Sequence, residues 1–144
     1  MGTFSDLVGV DTIIKGLDHV VIVVSNMDRS LDFYGNALGL IIHHDGRKDG
    51  GDKKSFLGTK SSTLVVLMED PNRGKGQSEC VQSIGHLAFS VDNVEKVKEE
   101  LRAKGIKFIE VKADKAKNTK AYHFLDPDGL ELEIYGEVGQ KAVY

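Results

Sequence analysis

The 144-residue chain has no tryptophan, one cysteine and two prolines. A single cysteine, Cys80, excludes a disulfide within the chain and fits a reducing compartment. Cys80 sits in a polar stretch with no histidine beside it, so it is not expected to act as a nucleophile. Long apolar runs are lacking too, and none approaches the ~20 residues a bilayer-crossing helix needs. Residues 1–15 lack the basic start and apolar centre of a secretory signal. A cytoplasmic protein is the expectation. Nor does charge of one sign dominate: 19 Lys and Arg stand against 22 Asp and Glu, a net charge of −3. That balance gives no reason to expect nucleic acid or an anionic membrane as partner.

What the chain has is an internal repeat. Gly16-Leu-Asp-His19 opens an apolar, β-branched run that ends in Ser25-Asn26-Met27-Asp28. Ser83-Ile-Gly-His86 opens a second apolar run that ends in Asp92-Asn93-Val94-Glu95. Each is a histidine at the head of a strand, then an Asn-containing turn, then a helix. The histidines are offset by 67 residues (86 minus 19). Met27, Leu31, Tyr34 and Leu38 form the apolar stripe of the first helix and Gly39 ends it; Val94, Val97 and Leu101 form the second stripe and Gly105 ends it. Asp92 and Glu95 read as a capping box at the head of the second helix. Further strands are expected at residues 40–44, 56–57, 63–68, 106–111, 121–125 and 130–135.

Each half thus reads strand–helix–strand–strand–strand, and neither sheet has enough apolar surface to stand alone. The expected fold is α+β: two paired βαβββ modules forming a cupped sheet with helices outside. Residues 1–144 make one domain, with module one at about 16–70, a connector at 71–82 and module two at about 83–136. In the last strand Leu130, Leu132 and Ile134 share one face, and Glu131, Glu133 and Tyr135 share the other. The apolar face belongs against the helix, so Glu133 points into the cup.

Two histidines at equivalent places in a repeat, with an inward carboxylate, suit one divalent ion such as Fe(II), Mn(II), Ni(II) or Zn(II). His19, His86 and Glu133 are the expected ligands, with Glu131 the substitute if the register slips. Three protein donors leave positions open for substrate, water or O₂. A buried strand histidine without a metal is the plainer reading of either residue alone. His43 and His44 are adjacent, so parity sends only one of them into the cup. Residues 112–120, rich in lysine, read as a loop that attracts an anionic small-molecule substrate.

These residues resemble the vicinal oxygen chelate superfamily, which includes glyoxalase I, extradiol dioxygenases and bleomycin resistance proteins. The resemblance rests on Gly16 to His19, Asp32-Phe-Tyr34, Leu38-Gly39, Gly85-His86 and Asp126-Pro-Asp-Gly-Leu-Glu-Leu-Glu133. It covers about residues 16–136. It implies a metal-dependent dioxygenase-like enzyme or a lyase/isomerase, working as a homodimer. It equally admits a metal-free protein that sequesters a drug, as bleomycin resistance proteins do. Glyoxalase I-like relatives use a fourth ligand from the last strand of module one. The equivalent of Glu133 there is position 66, a valine, and Glu69 is three residues away. What remains is a 2-His-1-carboxylate set. His123, ten residues before Glu133, stands where extradiol enzymes carry a tyrosine that holds the metal-bound substrate. It is the expected catalytic residue, acting as acid/base or as an oxygen-orienting group.

Overall fold

A computed structural model describes residues 16–48, 53–72 and 85–139. The expected connector at 71–82 and Cys80 lie almost wholly outside the described residues. Module one runs β1 (Val20–Val24), α1 (Met27–Leu31), a π-helical turn (Asp32–Ala37), β2 (Ile41–His44), β3 (Lys54–Gly58) and β4 (Thr63–Glu69). Module two runs β5 (Leu87–Asn93), α2 (Val94–Ala103), β6 (Phe108–Asp114), β7 (Thr119–Leu125) and β8 (Glu131–Glu137). The sheets have the same topology, β1-β4-β3-β2 and β5-β8-β7-β6, with a parallel first pair and antiparallel remainder. The fold is the paired βαβββ arrangement that the repeat implied.

The repeat is kept to the residue. Val21 pairs with Val66 in sheet one, and Ala88 pairs with Glu133 in sheet two. Gly39 and Gly105 adopt φ of +82° and +93° at the ends of the two helical segments, where a side chain would strain the backbone. Asn26 caps α1 by accepting from the Arg29 N–H. At α2 the cap is Asn93, which accepts from the Lys96 N–H. Asp92 does not serve, because β5 continues through it to Asn93. Glu95 instead accepts from the Tyr122 hydroxyl at 2.5 Å, with Lys120 Nζ at 3.1 Å. These two partners, the tyrosine first, hold its carboxyl below the usual range.

Alternate residues divide each sheet into an apolar face and a second face. Ile22, Val24, Val65 and Leu67 are buried on the first sheet, as are Tyr122, Phe124, Leu132 and Ile134 on the second. With Met27, Leu31, Tyr34, Val94 and Leu101 they form one continuous core shared by both modules. Burying a side chain of this size contributes about 1.5–3 kcal/mol. The helices lie on the apolar faces, away from the face that carries Glu131 and Glu133.

The stripe expected for the first helix is continued by the π-helical turn, in which Leu38 N–H bonds the Phe33 carbonyl. One extra residue in the turn shifts the helical phase. Phe33 and Tyr34 both pack inward as a result, with Phe33 against Phe124 of module two and Tyr34 fully buried. Lys104, just past α2, donates to the Asn36 and Ala37 carbonyls at 3.2 Å. The modules are thus joined through their helical sides.

The lysine-rich segment differs from the expected loop. Lys112 lies in β6 and Lys120 in β7, so only a short turn near residues 115–118 remains. Lys112 is cross-strand from Ala121, on the face of His123, whereas Lys120 reaches Glu95 on the other. Cross-strand pairing extends to Asp114 and Thr119.

Candidate functional site

The polar face of sheet two gathers four ionisable side chains. β7 and β8 place His123 directly across from Glu133. The parallel β5–β8 register pairs Leu87 with Leu132, which sets His86 one step earlier, beside Glu131. The resulting distances form a ring. His86 Nε2 is 3.6 Å from Glu133 Oε2, and His123 Nε2 is 2.9 Å from Glu133 Oε1. Glu131 Oε2 is 3.2 Å from His123 Nδ1 and 3.8 Å from His86 Nδ1. The imidazole centroids are 5.2 Å apart. The His123–Glu133 contact is close but not aligned as a hydrogen bond, whereas the His123–Glu131 contact is. His123 is 1% exposed, while the His86 side chain is half-exposed at the rim.

The matching face of sheet one has other chemistry. Its register lines up Val21, Val66, Phe56 and His44. The His44 ring lies 5.7 Å from that of Phe56, so His44 is the member of the pair that joins this row. His43 turns to the Thr59 carbonyl at 2.8 Å. The sheet-two row is thus mostly ionisable, and the sheet-one row is mostly apolar, with His44 at its end.

Glu69 is not a donor to the site. It sits opposite Val24, where Oε2 accepts the Met27 N–H at 2.7 Å and Oε1 faces Lys53 Nζ at 3.1 Å. It anchors the first turn of α1, and the position equivalent to Glu133 is a buried valine. Replacing Glu69 by alanine is expected to cost about 1–2 kcal/mol in urea unfolding, the worth of a helix-capping bond. Metal binding by the same variant is expected to match the parent.

Three donors were expected to meet, and within one chain two of them do. His86 and Glu133 converge. His19 bonds Asp18 through Nδ1 at 2.7 Å, and its side chain is 43% exposed. It shares with His86 a hollow of about 380 Å³, lined also by Val65 and Phe89, without touching Glu133 or His123 in any described contact. Among the described residues no three His, Cys, Asp or Glu side chains form a group able to hold a metal ion. The expected ligands therefore fit a metal only in part within a single chain.

The segment most specific in sequence, Asp126-Pro-Asp-Gly129, has a structural role. Asp126 Oδ2 accepts the Tyr34 hydroxyl at 2.7 Å, and Oδ1 accepts the Asp128 and Leu130 N–H groups at 2.9 and 2.8 Å. Asp128 takes the Ser25 N–H at 3.2 Å and Arg29 Nη2 at 3.1 Å. The turn fastens the start of module one to the end of module two. Sequence reading missed Glu131's place between the two histidines. The only available signal was its shared strand parity with Glu133.

Comparison with known proteins agrees with this architecture. The sequence profile of the Glyoxalase/Bleomycin resistance protein/Dioxygenase superfamily matches residues 16–134, and the chain belongs to that superfamily. An uncharacterized protein of Bacillus subtilis (strain 168), YwkD, is 30% identical over 125 residues, spanning 85% of this chain and 98% of that protein. The lactoylglutathione lyase of Escherichia coli O157:H7 is 28% identical over 122 residues, spanning 83% of this chain and 90% of the lyase. The crystal structure of a glyoxalase family protein from Enterococcus faecalis superimposes with a TM-score of 0.69 at 28% identity, covering 86% of this chain and 99% of that one. A mutant fosfomycin resistance protein, FosX, of Listeria monocytogenes, crystallised with Mn(II) and a dihydroxypropylphosphonic acid, shares the fold with a TM-score of 0.66 at 18% identity, covering 88% of this chain and 95% of that one. Among the described residues no helix is long and apolar enough to cross a membrane.

Proposed function

We propose that this protein is a divalent-metal-dependent enzyme of the glyoxalase type, binding a small substrate through oxygens at a site of His19, His86 and Glu133. The observation that carries the reading is the approach of His86 Nε2 to Glu133 Oε2, 3.6 Å, from neighbouring strands. Carboxylate and imidazole at that separation suit a shared transition-metal ion. A bound metal supplies Lewis-acid polarisation of a substrate oxygen. Fe, Mn, Ni and Zn all match the donor set. With Val66 in the fourth ligand position, three protein donors leave room for two substrate oxygens. That supports dioxygenase-like or lyase/isomerase chemistry. The lactoylglutathione lyase relatives favour the lyase/isomerase branch. His123 stands behind Glu133 as acid/base or orienting group.

His19, turned aside within one chain, enters the set from a second copy in a cytoplasmic homodimer. Lys112, on the His123 face, attracts an anionic substrate. One observation favours a second reading, a metal-free ligand-sequestering protein of the bleomycin-resistance type. It is the absence of three converging donors among the described residues of one chain. Metal analysis of untagged protein separates the two. About one divalent ion per chain is expected, as purified or after anaerobic reconstitution. No bound metal after reconstitution overturns the enzyme reading in favour of ligand sequestration.

A further inference from the structure

A groove of about 550 Å³ runs between the first helical segment and the loop that joins α2 to β6. Module one gives it Phe33, and module two gives it Ile106, Ile109, Leu125 and Pro127, as an apolar lining. Ile109 and Leu125 are 57% and 47% exposed, among the most exposed large hydrophobic residues described. An apolar surface open to solvent and bordered by charge marks a binding site. None of His19, His86, His123, Glu131 and Glu133 lines the groove. Its charge is unbalanced. Arg29, Lys104 and Lys107 line it against one carboxylate, Asp32. Arg29 is neutralised by Asp128 at 3.1 Å. Lys104 Nζ donates to the Asn36 and Ala37 carbonyls, and among the described residues neither Lys104 nor Lys107 has a carboxylate partner. Two ammonium groups against Asp32 leave one positive charge in excess, in a chain whose net charge is −3. Such a local excess attracts an anion.

We propose that this groove binds an amphipathic monoanion, an alkyl carboxylate, whose chain covers Ile109, Leu125 and Phe33 and whose head group meets Lys104 and Lys107. Both lysines leave the short loop between α2 and β6, so each ammonium takes one carboxylate oxygen. A neutral ligand leaves the excess charge unmet, and a cation is repelled. The alkyl chain gains by removing apolar surface from water, about fourfold in affinity for each methylene fully buried. Because the lining comes from both modules, the bound chain also ties their helical sides together. The site needs no metal.

The test is calorimetric titration of the full-length protein with sodium octanoate and sodium decanoate, each below its micelle concentration. About one saturable site per chain is expected. Decanoate is expected to bind about 3–15-fold more tightly than octanoate, the gain from two methylenes partly or fully buried. Decylammonium is expected to bind at least about 10-fold more weakly than decanoate. Lys107→Glu is expected to weaken decanoate binding about 10–100-fold, since an attraction becomes a repulsion. Ile109→Ser is expected to flatten the preference for decanoate over octanoate. Both side chains are exposed, so neither replacement disturbs the core. Lys112→Glu, on the His123 face, is expected to bind decanoate as the parent does. A loss in Lys112→Glu equal to or greater than that in Lys107→Glu places the anion in the cup and overturns the proposal. Equal affinities for octanoate and decanoate, or for decanoate and decylammonium, overturn it too. So does the absence of saturable binding in the millimolar range.

Discussion

Asp126→Ala is expected to destabilise the protein by about 3–5 kcal/mol, because three donors lose their buried carboxylate acceptor together. Asp126 is 5% exposed and accepts three hydrogen bonds. Its loss strands the Tyr34 hydroxyl in the core and frees two backbone N–H groups of the turn. Tyr34→Phe removes only the hydroxyl and is expected to cost about 1–2 kcal/mol, since Asp126 keeps its backbone partners. Urea unfolding followed by circular dichroism gives both values, tryptophan fluorescence being absent. Equal losses for the two variants would refute the network account. Burial, and then the Asp126 charge, push the Tyr34 hydroxyl far above its ordinary value of 10.0. A raised folded-state value means stability that is full below pH 10 and falls as pH rises further, because unfolded tyrosine ionises first. Tyr34→Phe should therefore flatten the alkaline limb of stability against pH.

Glu133→Gln is expected to lose metal affinity by more than about 100-fold, because an anionic ligand becomes a neutral one. His19→Ala is expected to do likewise. The two variants mixed, unfolded and refolded together test where His19 comes from. If a second copy supplies it, mixed dimers regain metal that neither variant holds alone, since one of their two sites has all three ligands. If His19 and Glu133 act within one chain, mixing restores nothing. Metal content after exhaustive dialysis reads either result. Unchanged affinity in Glu133→Gln would remove Glu133 from the ligand set.

Much of this arrangement was legible before any coordinates. Alternation along residues 130–135 placed Glu131 and Glu133 opposite Leu132 and Ile134, and the structure keeps that division. The 67-residue offset put a valine where a fourth ligand would stand, and the β1–β4 and β5–β8 registers agree. Gly39 and Gly105 marked the helix ends through their left-handed backbone. Other features left no readable trace. Asn93 displaced Asp92 as helix cap because β5 ran two residues past the apolar run. The lysines at 112 and 120 looked like loop because charge, not apolar alternation, dominates a paired but solvent-facing edge.

By itself the sequence determined the repeat, the module order and the face on which each strand residue falls. These follow from periods of 2 and 3.6 residues, which local backbone geometry imposes on any chain. Only the tertiary structure decided that Asp126 holds Tyr34 across 92 residues, that Glu131 bonds His123, and that His19 turns to Asp18 rather than to Glu133. Those contacts depend on how two sheets and their helices pack around one core, and no local period encodes which distant side chains that packing brings within hydrogen-bonding reach.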